Sequence, residues 1–198
     1  MDDEMRRAHV ARTTEETDIE LDLTLDGNGT ARVTTGIGFF DHMLELFAHH
    51  GRFDLDLRAT GDLDVDGHHT VEDVGLVLGQ AFAEALGDKR GIRRYAWCAL
   101  PMDEALALVA VDVSGRPYLV YEVDLGGVRI GAFDAGLTGH FLRSFTTRAA
   151  LTLHVHVLAG DDPHHVVEAV FKGTARALSS ACTVERPGGD VPSSKGTL

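Results

Sequence analysis

Two short stretches carry the residue types that bind metal ions: His68-His69-Thr70-Val71-Glu72 and His164-His165-Val166-Val167-Glu168. On a helix, positions i and i+4 share a face, so His68 with Glu72, and His164 with Glu168, can each grip one cation. Adjacent helical residues point about 100° apart. His69 and His165 therefore reach toward a different ion from their neighbours, and each segment is built to bridge two metals. A single His-His at a helix start is ordinarily a solvated first turn. Here the pattern recurs in register, with His68 following His42 by 26 positions and His164 following His140 by 24. The set His42, His68, His69, Glu72, His140, His164, His165 and Glu168 then makes two sites of three histidines and one glutamate. The symmetry of the repeat suggests His68, Glu72, His140 and His165 at one ion, and His164, Glu168, His42 and His69 at the other. Mixed imidazole and carboxylate ligation suits Mn, Fe, Co, Ni or Zn, and the lack of thiolates argues against a structural zinc. His9, His49, His154 and His156 have no like partner in the repeat and are assigned to structure, whereas His50, beside Gly51, is kept as a residue lining the site.

A few cations stand out against an acidic background. Acidic residues outnumber basic ones, 31 to 18, for a net charge of −13, which argues against nucleic-acid binding because phosphate contacts need clustered Lys and Arg. A small anionic ligand needs only local positive charge. Arg93 and Arg94 open a strand, Arg116 sits in a turn before another, and Lys172 lies one helical turn beyond Glu168. The tail Ser193-Ser194-Lys195-Gly196 combines hydroxyls, backbone N–H groups and a lysine, the makings of a phosphate cradle. Cys98 and Cys182 lack metal-type spacing and are expected to be reduced and buried.

The elements that must position these groups follow from hydrophobic period. The stretch from Ile19 to Gly29 alternates and ends in Gly-Asn-Gly, which predicts a strand and hairpin with residues 30–36 as the partner strand. Helical spacing over residues 39–51 is followed by alternation over 53–61 and a long amphipathic helix over 70–87 closed by Gly87. The second half repeats the order: strands over 93–101, 104–115 and 117–126, a helix over 139–150, a strand over 151–160 and a long helix over 164–180. The chain is thus an internal duplication with its boundary near residues 88–91, giving half-repeats 1–90 and 91–198 in one compact domain with a C-terminal substrate-binding tail. Strands and helices grouped in this way suggest an α+β fold, a two-layer sandwich of sheet on helices in each half, and not an alternating parallel sheet. No apolar run approaches a membrane span and the N-terminus lacks a signal-type segment, so no membrane association and a cytoplasmic location are expected.

The stretches GIGFFDHMLELFAHHG, DGHHTVEDVGLVLG, PMDEAL, DVSGRPYL, DDPHHVVEAVFK and VPSSKG resemble, together and from about Arg12 to the C-terminus, the signature segments of the imidazoleglycerol-phosphate dehydratase family. The resemblance implies halves like domain 2 of ribosomal protein S5, two Mn2+ ions per active site, and a homo-oligomer of 24 subunits with active sites between them. It implies a reaction of histidine biosynthesis: imidazoleglycerol phosphate loses water to give imidazoleacetol phosphate through a metal-bound imidazolate. The eight metal ligands carry over unchanged. The catalytic carboxylates become Glu16, Glu72 and Glu168, with Glu16 the acid/base group and adjacent Glu15 the one-residue alternative. Substrate binding falls to Glu16, Arg94, Arg116, Lys172, Ser193, Ser194 and Lys195. One departure is Tyr95-Ala96 after Arg94, where the family commonly has Phe-Gly. Two rival functions use the same ligands: a dinuclear metallohydrolase of a phosphate ester, and a non-catalytic metal-binding oligomer that leaves Glu16 and the tail without a task.

Overall fold

Strict alternation builds the first sheet. In a computed structural model, which describes residues 5–198, β2 (Thr17–Thr24) buries Ile19, Leu21 and Leu23 and turns Asp18, Glu20 and Asp22 outward. β1 (Arg7–Thr13) and β4 (Asp54–Gly61) pair antiparallel to its two edges, and β3 (Ala31–Thr34) lies beyond β4, parallel to it, giving the order β1-β2-β4-β3. Helices α1 (Gly38–Gly51) and α2 (His68–Leu86) complete the half.

The second half repeats this plan. Strands β5 (Tyr95–Met102), β6 (Ala105–Asp112), β7 (Tyr118–Glu122) and β10 (Thr152–Ala159) form the sheet β5-β6-β10-β7, with β7 parallel to β10. Helices α3 (Leu137–Ala149) and α4 (Pro163–Cys182) occupy the places of α1 and α2. A small pair, β8 (Arg129–Ile130) with β9 (Phe133–Asp134), is inserted before α3 and breaks the symmetry. The fold is the expected duplicated α+β sandwich.

Several expectations need correcting. The hairpin through Gly27-Asn28-Gly29 does not form, because β2 is already flanked by β1 and β4. The Asp54 Oδ1 atom accepts from the Asn28 and Thr30 amides at 2.9 Å each, tying that turn to the start of β4. Residues 31–34 instead reach β4 in parallel, with α1 as the crossover, so each half contains one parallel pair within an otherwise antiparallel sheet. β1 escaped the sequence reading because Val10 is its one fully buried side chain. α1 runs through Gly51, and Arg52 takes the left-handed cap at φ 57° in its place.

The two halves meet through their helices, α2 against α3 and α1 against α4. Gly75 and Gly79, one turn apart on α2, permit this: a Cβ at Gly75 would lie 2.8 Å from the Phe141 carbonyl oxygen. Phenylalanines from both halves interlock behind the helices, including Phe40 with Phe141 at 5.4 Å and Phe82 with Phe145 at 5.5 Å between ring centroids. Such edge-to-face pairs add to the energy of burial. Cys98 and Cys182 are free thiols, and burial pushes the Cys182 thiol up to about 12. Among the described residues no helix is long and apolar enough to cross a membrane.

Candidate functional site

Each helix that carries a proposed ligand has its start fixed by a carboxylate. Asp162 accepts from the His164 amide at 2.8 Å and Pro163 occupies the first turn of α4, an ordinary and effective helix start. Asp66 does the same for the His68 amide at 2.7 Å. Asp41 on α1, next to His42, reaches back to the Thr35 amide and hydroxyl at 2.8 and 2.5 Å. The ligand-bearing residues thus sit on helix starts held at a defined angle to the sheets.

The i, i+4 pairs form as the spacing requires. His68 Nε2 lies 3.4 Å from Glu72 Oε2, and His164 Nε2 lies 3.2 Å from Glu168 Oε2. The rings of His68 and His140 stand 4.8 Å apart, so α2 of one half and α3 of the other bring these two rings together, with Glu72 beside His68 on α2. A cleft of about 410 Å³, lined by Ile37, Leu63, Arg129 and Phe133 among others, opens beside His68. The other two histidines turn elsewhere. His69 meets Asp62 through Nδ1 at 3.0 Å and Glu16 through Nε2 at 3.8 Å. His165 meets Glu104 through Nδ1 at 2.8 Å and Asp103 through Nε2 at 3.7 Å. Among the described residues no three His, Cys, Asp or Glu side chains converge closely enough to hold an ion. The donor chemistry of these imidazoles and carboxylates fits a divalent transition metal.

The electrostatics follow from these contacts. The hydrogen bonds to Asp62 and Glu104 raise His69 and His165 above their ordinary range. Glu104 drops to about 2, because it accepts from the Asp162 amide and then from His165. Burial pushes Glu168 up, but Lys172, which pairs with it directly, and His164 outweigh burial and leave it lowered. His50 is lowered by burial and then by Lys172, His49 and Arg176; with those last two, and with Arg52, it lines a separate groove at the end of α1.

Glu16 stands in the β1–β2 turn, its amide bonded to the Thr14 hydroxyl at 3.1 Å. Of the two adjacent glutamates, it is Glu16 that turns its carboxylate toward His69. The turn is pinned from below, since buried Asp73 accepts from Arg12 at 2.7 Å and from the Thr17 hydroxyl at 2.5 Å.

The expected phosphate-binding group is assembled in part. Arg94 is buried, paired with Asp112 at 2.7 Å and bonded to the Pro192 carbonyl at 2.8 Å, so it anchors the tail. Arg116 lies near Asp112 with an exposed side chain, and the terminal Leu198 backbone passes close to Gly115. The Ser193 hydroxyl accepts from the Lys195 amide at 3.2 Å, folding residues 193–196 into a turn. Lys172 is engaged with Glu168 and Met102 on the α4 side. The Tyr95 departure is absorbed, because Arg94 stacks 4.5 Å over its ring, a face that Phe would also offer. Sequence reasoning gave no role to Asp62, Asp73, Asp112 or Glu104. Glu104 lies inside a quoted stretch and Asp62 four residues ahead of one, and the signal available was a carboxylate in a turn facing a His-His helix start.

Known proteins resemble this chain closely. A sequence profile described as imidazoleglycerol-phosphate dehydratase matches residues 35–178. An imidazoleglycerol-phosphate dehydratase of Caldicellulosiruptor bescii is 55% identical over 195 residues, 98% of each chain. The crystal structure of imidazoleglycerol-phosphate dehydratase from Staphylococcus aureus superposes with a TM-score of 0.82 at 38% identity, covering 90% of this chain and 99% of that one. The corresponding structure from Pyrococcus furiosus gives 0.83 at 35% identity, covering 96% and 100%.

Proposed function

The chain belongs to the imidazoleglycerol-phosphate dehydratase family, lyases of histidine biosynthesis acting on a small phosphorylated imidazole, and we propose that it catalyses the family reaction with two Mn2+ ions per active site. The observation that carries this reading is the meeting of His68 and His140 across the two halves, with Glu72 beside His68. With their counterparts His164, Glu168 and His42, and with His69 and His165 turned outward, they make two three-His, one-Glu sets. Since one chain gathers only part of each set, the sets are completed between subunits, His69 and His165 being donated to neighbouring copies. Assembly has independent support in the second sheet. β6 is apolar on both faces, and of its outer residues Leu106, Leu108 and Ala110, the last lies directly opposite exposed Trp97 on β5. A strand apolar on both faces is ordinarily covered on both, whereas the outer face of the first sheet carries Asp18, Glu20, Asp56 and Arg58. A homo-oligomer of 24 subunits in the cytoplasm is our reading.

A bound divalent ion would lower the pKa of the substrate's imidazole and hold it as imidazolate. In this reading Glu16, whose carboxylate faces His69, protonates the hydroxyl on the ring-attached carbon so that it leaves as water. It then takes the C–H proton of the neighbouring carbinol carbon, and returns a proton to the ring-attached carbon as the enol becomes the ketone. Glu72 and Glu168 serve as metal ligands. Arg116, Ser193, Ser194 and Lys195 bind the phosphate, Arg94 holds their tail in place, and Lys172 keeps Glu168 ionised. Fixing both ends of the substrate is what makes the single proton position effective. The test is an ultraviolet assay for the enolisable ketone product from imidazoleglycerol phosphate, with and without added Mn2+. Ketone formed only with the metal is expected; release of inorganic phosphate in its place would assign the site to a hydrolase.

A further inference from the structure

We infer that Asp62 and Glu104 are positioning residues for His69 and His165, each holding its ring with the proton on Nδ1 and leaving Nε2 as the ligand atom. The inference rests on the metal-centre reading above and adds to it the parts that orient the ligands.

Both rings show one pattern. His69 Nδ1 lies 3.0 Å from Asp62 Oδ2 and His165 Nδ1 lies 2.8 Å from Glu104 Oε2, both good hydrogen-bond distances. An ionised carboxylate can only accept, so Nδ1 carries the proton, and in the neutral ring Nε2 then carries the lone pair. On Nε2 the nearest carboxylates stand off, Glu16 at 3.8 Å and Asp103 at 3.7 Å. His68 and His164 are arranged otherwise, with Nε2 facing the glutamate of their own helix. The clamp therefore belongs to the two histidines that leave their own helix's ligand pair.

The Glu104 carboxylate is itself held by backbone amides, and Asp62 is fixed through its main chain. Glu104 Oε1 accepts from the Asp162 amide at 2.9 Å and the Asp161 amide at 3.3 Å, leaving Oε2 aimed at His165. The Asp62 amide donates to the Glu16 carbonyl at 3.1 Å, which fixes the end of β4 against the β1–β2 turn. Aligning the half-repeats matches the Gly-Asp turn of Asp62 with that of Asp161, yet Asp161 contributes only its amide. In the second half the task passes to Glu104, from the β5–β6 turn. Two halves with a common ancestor thus reach the same imidazole contact from different positions in the chain, as expected if the contact itself matters. Metal-ligating histidines characteristically donate their second N–H to such a partner, and its loss weakens metal binding by about 10–100-fold.

The test uses the full-length protein and Mn2+ itself. Glu104→Gln and Asp62→Asn each replace the obligate acceptor with an amide that can donate to Nδ1 and so admit the wrong tautomer. Calorimetric Mn2+ titrations should show one class of site weakened by about 10–100-fold in each variant, with thermal unfolding of the metal-free proteins close to wild type. Asp161→Asn, which removes the sequence counterpart, should bind Mn2+ as wild type does. A second readout is nitrogen-15 NMR of the histidine rings in metal-free protein at pH 8.5. Wild type should hold His69 and His165 with the proton on Nδ1, and Glu104→Gln should move His165 alone. Normal wild-type binding with unchanged affinity in both variants, or an Nε2-protonated His165 in wild type, overturns the inference alone. Wild-type protein that binds no Mn2+ overturns the metal-centre reading and this inference with it.

Discussion

Replacing Gly75 by alanine tests whether the closeness of α2 and α3 sets the site. The added Cβ would lie 2.8 Å from the Phe141 carbonyl oxygen and 2.9 Å from Ser144 Cβ. Ordinary carbon contacts begin near about 3.5 Å, so the helices must separate by roughly 0.6 Å or bend. Neither contact is the free end of a flexible side chain, and the core behind is closed by Phe141, Phe145 and Phe82. Overpacking of this kind costs about 1–3 kcal/mol, and alanine returns about 1 kcal/mol through helix propensity. The net loss of up to about 2 kcal/mol corresponds to a melting temperature lower by up to about 8 °C for a chain of this size. The identical substitution at Gly38, where nothing lies within 4 Å, should stabilise by up to about 1 kcal/mol. Both are measured by thermal unfolding in EDTA, so that metal binding does not contribute. Because His68 and Glu72 precede Gly75 on α2 and His140 adjoins Phe141 on α3, Gly75→Ala should also weaken Mn2+ binding. A Gly75→Ala protein that melts above wild type would refute the close-approach argument.

Glu16→Gln should leave Mn2+ content near wild type and lower kcat by about 10²-fold or more, while Glu15→Gln remains active; the reverse pattern in a steady-state assay shifts the acid/base group by one residue. Lys195→Ala should raise KM about 10–100-fold through loss of a charge-assisted phosphate contact of about 1.5–3 kcal/mol, and an unchanged KM would remove the tail from phosphate binding. His69 and His165 are held above the ordinary 6.5 by Asp62 and Glu104, so the support they lend the metal-free fold is complete below pH 6.5 and fades as pH rises through their raised values. Metal binding has the opposite sign, since protons compete for the same imidazoles. Unfolding in EDTA and Mn2+ affinity followed over pH 6 to 8.5 should therefore move in opposite directions, and parallel movement would contradict the pairing. Particle size by light scattering should fall on adding EDTA or at pH 5 if the metals join subunits, and indifference to both would place the metal sites within single chains.

Sequence alone settled what depends on local period. The 3.6-residue spacing marked α1 to α4, the alternation marked β2, β4 and β10, and the repeated His-His-x-x-Glu placed two potential chelates at helix starts. It also exposed the duplication, because ligand types recurred at nearly equal separations. Tertiary structure decided what depends on partners distant in the chain. A strand's alternation is the same whichever neighbour it takes, so residues 31–34 could be recognised as a strand but not assigned to β4 in preference to β2. β1 carries one buried apolar side chain and owes its existence to the free edge of β2. An aspartate in a turn looks the same in sequence whether it caps a helix, binds solvent or clamps an imidazole; only the folded chain separates Asp62 and Glu104 from Asp161. The division of the ligands has the same origin. Helical geometry dictates that His68 and His69 diverge, but where each ring ends depends on α3 and on the β1–β2 turn, and these meet α2 only after the sheets have closed.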